Sequence, residues 1–267
     1  MKYRARAGER FFHYIFIIAN LVGLIAYYAM ASDLAFLVIR ESNQVARTGL
    51  FRQIFWAKYV FWVVEFPAVI LALGILSGVS WATIVFNIAL SWVWIISFLV
   101  GAFTATNYKW GFFAFAIMAQ IALGVSMLFW GMTSANRVGS KGHYLALAGW
   151  TNFLWLLFSL AWALSDGGNR IGVTASFIWF GILDIMLLTV VGFAVVFLSQ
   201  KWDYNRLNIA FTQYGRVPAT TGTFPEKEAV ASPAGAPVGA PVGGPVGGPV
   251  GGPVGAPVGA PVGSSAV

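Results

Sequence analysis

The stretch Trp56-Ala57-Lys58-Tyr59-Val60-Phe61-Trp62-Val63-Val64-Glu65-Phe66-Pro67 decides how the rest of the chain is read. It lies in an apolar run over residues 55–76, and about 20 such residues cross the hydrocarbon core of a bilayer as a helix. Yet it keeps a lysine and a glutamate. Each costs roughly 2.5–3.5 kcal/mol near the centre of a membrane helix, so their retention demands partners, water or both. Lys58 and Glu65 are seven residues apart, on one helix face but about two turns distant. That excludes a bond between them and points each to a partner on another helix.

Working outward, five more runs have the same character: residues 11–31 (with a possible continuation through 34–39), 81–103, 112–130, 144–164 and 173–198. Only helices and closed barrels satisfy the backbone inside lipid, and continuous apolar runs without in/out alternation select helices. The composition agrees. Of 267 residues, 59% are hydrophobic and 9% charged, against roughly 25% charged in soluble domains. Cysteine is absent, which excludes disulfides, thiolate metal sites and cysteine nucleophiles. The first run is longer than a signal-peptide core and no small-residue cleavage site follows it.

The net charge of +7 is placed for a membrane and not for nucleic acid. Lys2, Arg4, Arg6 and Arg10 precede the first span; Arg137 and Lys141 lie between the fourth and fifth; Lys201, Arg206, Arg216 and Lys227 follow the sixth. With six spans these fall on one side, the cytoplasmic one by the positive-inside rule, together with both termini. Arg40, Arg47, Arg52, Lys109 and Arg170 fall on the other. Tyr59, Trp81, Tyr108, Trp110, Tyr144 and Trp202 are expected at the interfaces as aromatic belts. The expected organisation is a basic N-terminus (1–10), a helix bundle (11–200), a juxtamembrane segment (201–216) and a disordered tail (217–267). In the tail a proline recurs every fourth residue from Pro237 to Pro261, a composition that builds neither helix nor core.

Three ionisable residues fall inside spans: Lys58, Glu65 and Asp184. The spacing suggests a Lys58–Asp184 ion pair between the second and sixth spans. The alternative is that Lys58 snorkels to the interface while Glu65 stays uncharged. Trp155, Phe158 and Trp162 form one stripe of the fifth span, which by spacing alone reads as packing. Asp166 and Arg170 are expected as a local surface pair, worth about 0–1 kcal/mol. His13 and His143 lie at helix edges away from any serine or acid cluster, and no His-bearing metal spacing accompanies Met118, Met127 or Met186. No metal site, catalytic residue or enzyme activity is expected.

These residues resemble the microbial rhodopsin family. The opening stretch is similar to its third helix, Arg-Tyr-x-Asp-Trp-x-x-Thr-x-Pro, with Tyr59, Trp62 and Pro67 matching. The segment from Val45 to Phe55 resembles the preceding loop of fungal members. Tyr27-Tyr28-Ala29-Met30-Ala31 resembles the second helix; Trp155 through Trp162 with Ser165-Asp166-Gly167-Gly168-Asn169 resembles the sixth; Leu183-Asp184 resembles the seventh. The implied fold is an all-α, polytopic, rhodopsin-like bundle with six of the usual seven helices. The first is expected to be missing, either through truncation, the favoured alternative, or because this is a genuine six-helix form.

The departures carry the functional expectation. The family's Schiff-base lysine falls four residues after the aspartate, at Leu188, and no lysine occurs between Lys141 and Lys201. A Schiff base needs a primary amine, so covalent retinal is not expected as a cofactor. The proton-acceptor position is Phe61, the donor position Ala72, the arginine position Lys58, and Glu65 replaces a threonine. This combination looks like the fungal opsin-related, non-photoactive branch that includes a heat-shock membrane protein of yeast. The resemblance implies a plasma-membrane, stress-linked accessory or chaperone-like protein that modulates the proton ATPase, and it permits a homo-oligomer. Two other readings stay open: a channel or transporter using Lys58, Glu65 and Asp184, and a sensor holding an apolar ligand noncovalently in a vestigial pocket of Tyr27, Trp62, Trp155, Phe158 and Trp162.

Overall fold

The computed structural model describes residues 9–40, 51–199 and Trp202. The expectations for the basic residues 1–8, the loop 41–50, the rest of the juxtamembrane segment and the proline-rich tail lie outside the described residues. Six helices are long and apolar enough to cross a membrane. They are α1 (Glu9–Ala31), α2 (Trp56–Ser77), α3 (Trp81–Phe103), α4 (Lys109–Val138), α5 (Lys141–Gly167) and α6 (Val173–Ser199). A two-stranded hairpin, β1 (Phe36–Arg40) and β2 (Phe51–Phe55), precedes α2.

The hairpin corrects one expectation. Residues 34–39 do not prolong the first span; Phe36–Arg40 pairs antiparallel with Phe51–Phe55, Ile39 opposite Arg52. The backbone turns at Asp33 and Ala35, both at positive φ, and the Asp33 carboxylate accepts from the Gln53 amide at 2.7 Å. Strand alternation then sends Arg52 and Ile54 inward, so one charged side chain of a short strand is delivered under the hairpin.

The helix ends follow local chemistry. Ser80 caps α3 by accepting from the Thr83 N–H. Gly78 closes α2 and Gly139 closes α4 in the left-handed conformation that glycine adopts without cost. Three helices contain a π-helical turn: Ser126–Gly131 in α4, Ala163–Gly167 in α5 and Ile185–Val190 in α6. In the first, the Tyr144 hydroxyl donates to the Met127 carbonyl at 2.7 Å. A Cβ on Gly131 would lie 1.9 Å from that hydroxyl, so only glycine admits the contact.

Helix α2 is the most buried of the six and α1 the least. Pro67 removes the backbone donor that would serve the Val63 carbonyl. The Trp92 indole of α3 donates to that carbonyl instead, at 3.2 Å. The outward faces carry large apolar side chains such as Ile17, Leu24, Phe86, Phe115 and Phe193, as lipid-facing surfaces require. The expected belts hold in part: Trp81 and Tyr108 are exposed, but Tyr59 and Tyr144 are buried, because their hydroxyls are hydrogen-bonded inside the bundle.

Candidate functional site

Two polar clusters sit inside the half of the bundle that carries the hairpin. The first surrounds Asp166, on the π turn that ends α5. Its Oδ1 accepts from Arg52 Nε at 3.3 Å. Its Oδ2 accepts from the Lys58 ammonium and from the Tyr59 hydroxyl, the latter at 2.6 Å. The Trp162 indole in turn donates to the Tyr59 oxygen at 2.9 Å. Arg52 spends its remaining donors on Asn169 Oδ1 (3.0 Å), the Ile171 carbonyl (2.7 Å) and Ser176 Oγ (3.0 Å). Asn169, at positive φ, shapes the α5–α6 turn, whose Arg170 and Ile171 N–H groups both return to the Leu164 carbonyl. Lys58 also lies 4.5 Å from the centre of the Phe180 ring. Arg52, Lys58 and Asp166 are 2%, 7% and 1% exposed, so this is a buried ionic network in which both Asp166 oxygens are engaged and Arg52 makes four hydrogen bonds.

Two expectations are corrected here. Lys58 does not pair with Asp184; Asp166 takes its ammonium, because the end of α5 brings that carboxylate against the first turns of α2. Asp166 is correspondingly no surface partner of Arg170. It is buried, and its two oxygens are filled by Arg52, Lys58 and Tyr59.

The second cluster centres on Asp184, at the start of the π turn of α6. Its oxygens accept from the Tyr27 hydroxyl of α1 and from the Trp62 indole of α2, the latter at 3.0 Å. Glu65 lies one turn beyond Trp62 on the same face of α2, which brings its carboxyl to the side of Asp184. Glu65 is 0% exposed, and neither of its oxygens has a hydrogen-bond partner among the described residues. Leu188 follows one turn along α6, 2% exposed. Asp184 and Leu188 border a recess of about 240 Å³ with Tyr27, Phe61, Gly23 and Asn20, between α1 and α6.

The five aromatic residues singled out by sequence divide between these surroundings. Trp62, Trp155 and Phe158 gather around Phe66, whose ring centre lies 6.1, 5.6 and 5.3 Å from theirs; Trp94 of α3 adds a fourth contact at 5.0 Å. Trp162 stacks on Phe98 and Phe113 beneath the Asp166 network. Tyr27 belongs to Asp184. Arg52, Asp166, Asn169 and Ser176 were not anticipated as site residues. The available signals were a lone arginine alternating with apolar residues just before a span, and a lone acid just after one.

The comparisons agree with this architecture. Residues 1–203 match the family model described as bacteriorhodopsin-like protein. The chain belongs to that family. It is 34% identical over 209 residues to the opsin-like protein carO of Fusarium fujikuroi, covering 75% of this chain and 67% of that protein. It is 27% identical over 251 residues to the 30 kDa heat shock protein of Saccharomyces cerevisiae, covering 84% and 74%. The light-driven proton pump of Coccomyxa subellipsoidea superimposes with a TM-score of 0.66 at 27% identity, covering 70% of this chain and 81% of that one. The family placement is therefore with the fungal opsin-related proteins, as integral membrane helix bundles.

The fold implies retinal, and the residues present do not fit its covalent attachment. Leu188 offers no amine at the position the resemblance assigns to the Schiff-base lysine. The Phe66 ring packs against both Trp62 and Trp155.

Proposed function

We propose that this chain is a non-photochemical member of the opsin-related branch, an accessory protein of the fungal plasma membrane linked to stress and acting on the proton ATPase. The observation that carries the non-photochemical half is Leu188: a buried aliphatic side chain one turn from Asp184. The accessory half rests on similarity to a protein named for heat shock. The test has two readouts. Titration of the purified full-length protein with all-trans retinal is expected to give no red-shifted visible band and no borohydride-fixed adduct; either one would overturn the non-photochemical reading. Proximity labelling in fungal membrane, with and without residues 217–267, is expected to recover the proton ATPase. Labelling no stronger than for an unrelated six-span protein would overturn the accessory role.

A second reading is favoured by the unpartnered Glu65 carboxyl, since intramembrane ionisable groups mark ion pathways. In it Lys58, Glu65 and Asp184 serve ion transport, and flux into reconstituted vesicles should disappear in Glu65→Gln.

A further inference from the structure

Asp184 and Glu65 are unequal partners. Asp184 accepts from two donors, Tyr27 and Trp62, while Glu65 accepts from none among the described residues. An ionised carboxylate can only accept, whereas a protonated one supplies an O–H. Two bare carboxylates in one dry site repel, and such pairs hold a proton between them. A proton on Glu65 therefore turns the approach of two acceptors into a hydrogen bond, and gives Asp184 its third donor.

We infer that Glu65 and Asp184 form a proton-binding dyad, the proton residing on Glu65 and donated to Asp184, and that it is loaded from the hairpin end through Tyr27. Tyr27 borders both the recess beside Asp184 and a small cavity of about 10 Å³ shared with Gln53, Lys58, Asp166 and Ser176, a size that holds about one water. Its hydroxyl can pass its own proton to Asp184 and take a replacement from the cavity side, so that only O–H bonds break and form. Towards the other end, neither α2 from Phe66 to Ser77 nor α6 from Ile185 to Ser199 carries an ionisable residue. The groups facing the dyad are Tyr27 from α1, Lys58 and Trp62 from α2 and, beyond Lys58, Asp166 of α5 and Arg52 of β2. This inference stands apart from the accessory role and requires no net flux.

Infrared spectroscopy of the full-length protein in lipid bilayers tests it. The wild type should show the carbonyl band of a buried protonated carboxylic acid at neutral pH, shifted down in heavy water. Labelling glutamate with ¹³C in the unaltered chain should move that band, and ¹³C-aspartate should not, so the assignment needs no variant to fold. Glu65→Gln should abolish the band. Tyr27→Phe should keep the band but slow its exchange into heavy water. Absence of the band, or a band that moves only with labelled aspartate, overturns the dyad. Unchanged exchange in Tyr27→Phe overturns the loading route.

Discussion

The Asp166 network and the Asp184 cluster are both buried, both built around one aspartate in or bordering a π turn, and both draw donors from α2. They differ in how completely they are satisfied. Asp166 meets two cations and a phenol, and Arg52 distributes its guanidinium among four partners. Asp184 meets two neutral donors and an acid whose oxygens find none. A saturated ionic network ties elements together, here β2, α2, α5 and the start of α6. An under-satisfied one keeps capacity for a proton. The comparison assigns structure to the hairpin end and chemistry to the bundle's interior, two or three turns away.

The strongest way to break that contrast is Asp166→Asn. It leaves Arg52 and Lys58 buried without a counter-charge, and removing one partner of a buried pair typically costs about 3–5 kcal/mol. A large fall in the thermal unfolding midpoint in detergent micelles is expected; an unchanged midpoint would mean that the network is ornamental to stability. Next in size is Tyr59→Phe. It removes one donor to Asp166 and the acceptor of the Trp162 indole, with an expected loss of about 1–3 kcal/mol in the same assay. Glu65→Gln should be milder, within about 1 kcal/mol, since the amide can still donate to Asp184 while the proton is lost. A loss as large as that of Asp166→Asn would put Glu65 in the structural class and erase the distinction. The smallest expected effect is on colour: Leu188→Lys alone should yield no pigment with retinal if the packing of Phe66 against Trp62 and Trp155 holds. Visible absorption in that single variant would show that the aromatic packing yields to a ligand.

Much of the fold was legible from single residues. Five of the six spans were placed by hydropathy close to the helices described, because lipid solvation acts on each residue through its own side chain. The turn from α1 into the hairpin was not, since Phe36–Arg40 is as apolar as a helix continuation and only pairing with Phe51–Phe55 makes it a strand. The candidate site was half legible. Lys58, Glu65 and Asp184 stood out because charge in a span is rare. Arg52 and Asp166 did not, because near the end of a span a charged residue reads as solvated until the structure shows it buried.

Sequence by itself determined that this chain is a membrane helix bundle of opsin type and that the position the family resemblance assigns to retinal attachment holds leucine. These are properties of composition and of single side chains, and no arrangement of the helices alters them. The tertiary structure alone decided which acid Lys58 meets, that Arg52 turns inward, and that Glu65 is left facing Asp184 without a donor. Pairing between charges depends on distances across four elements far apart in the chain, and in a low-dielectric interior a few ångströms decide which partner an ammonium takes.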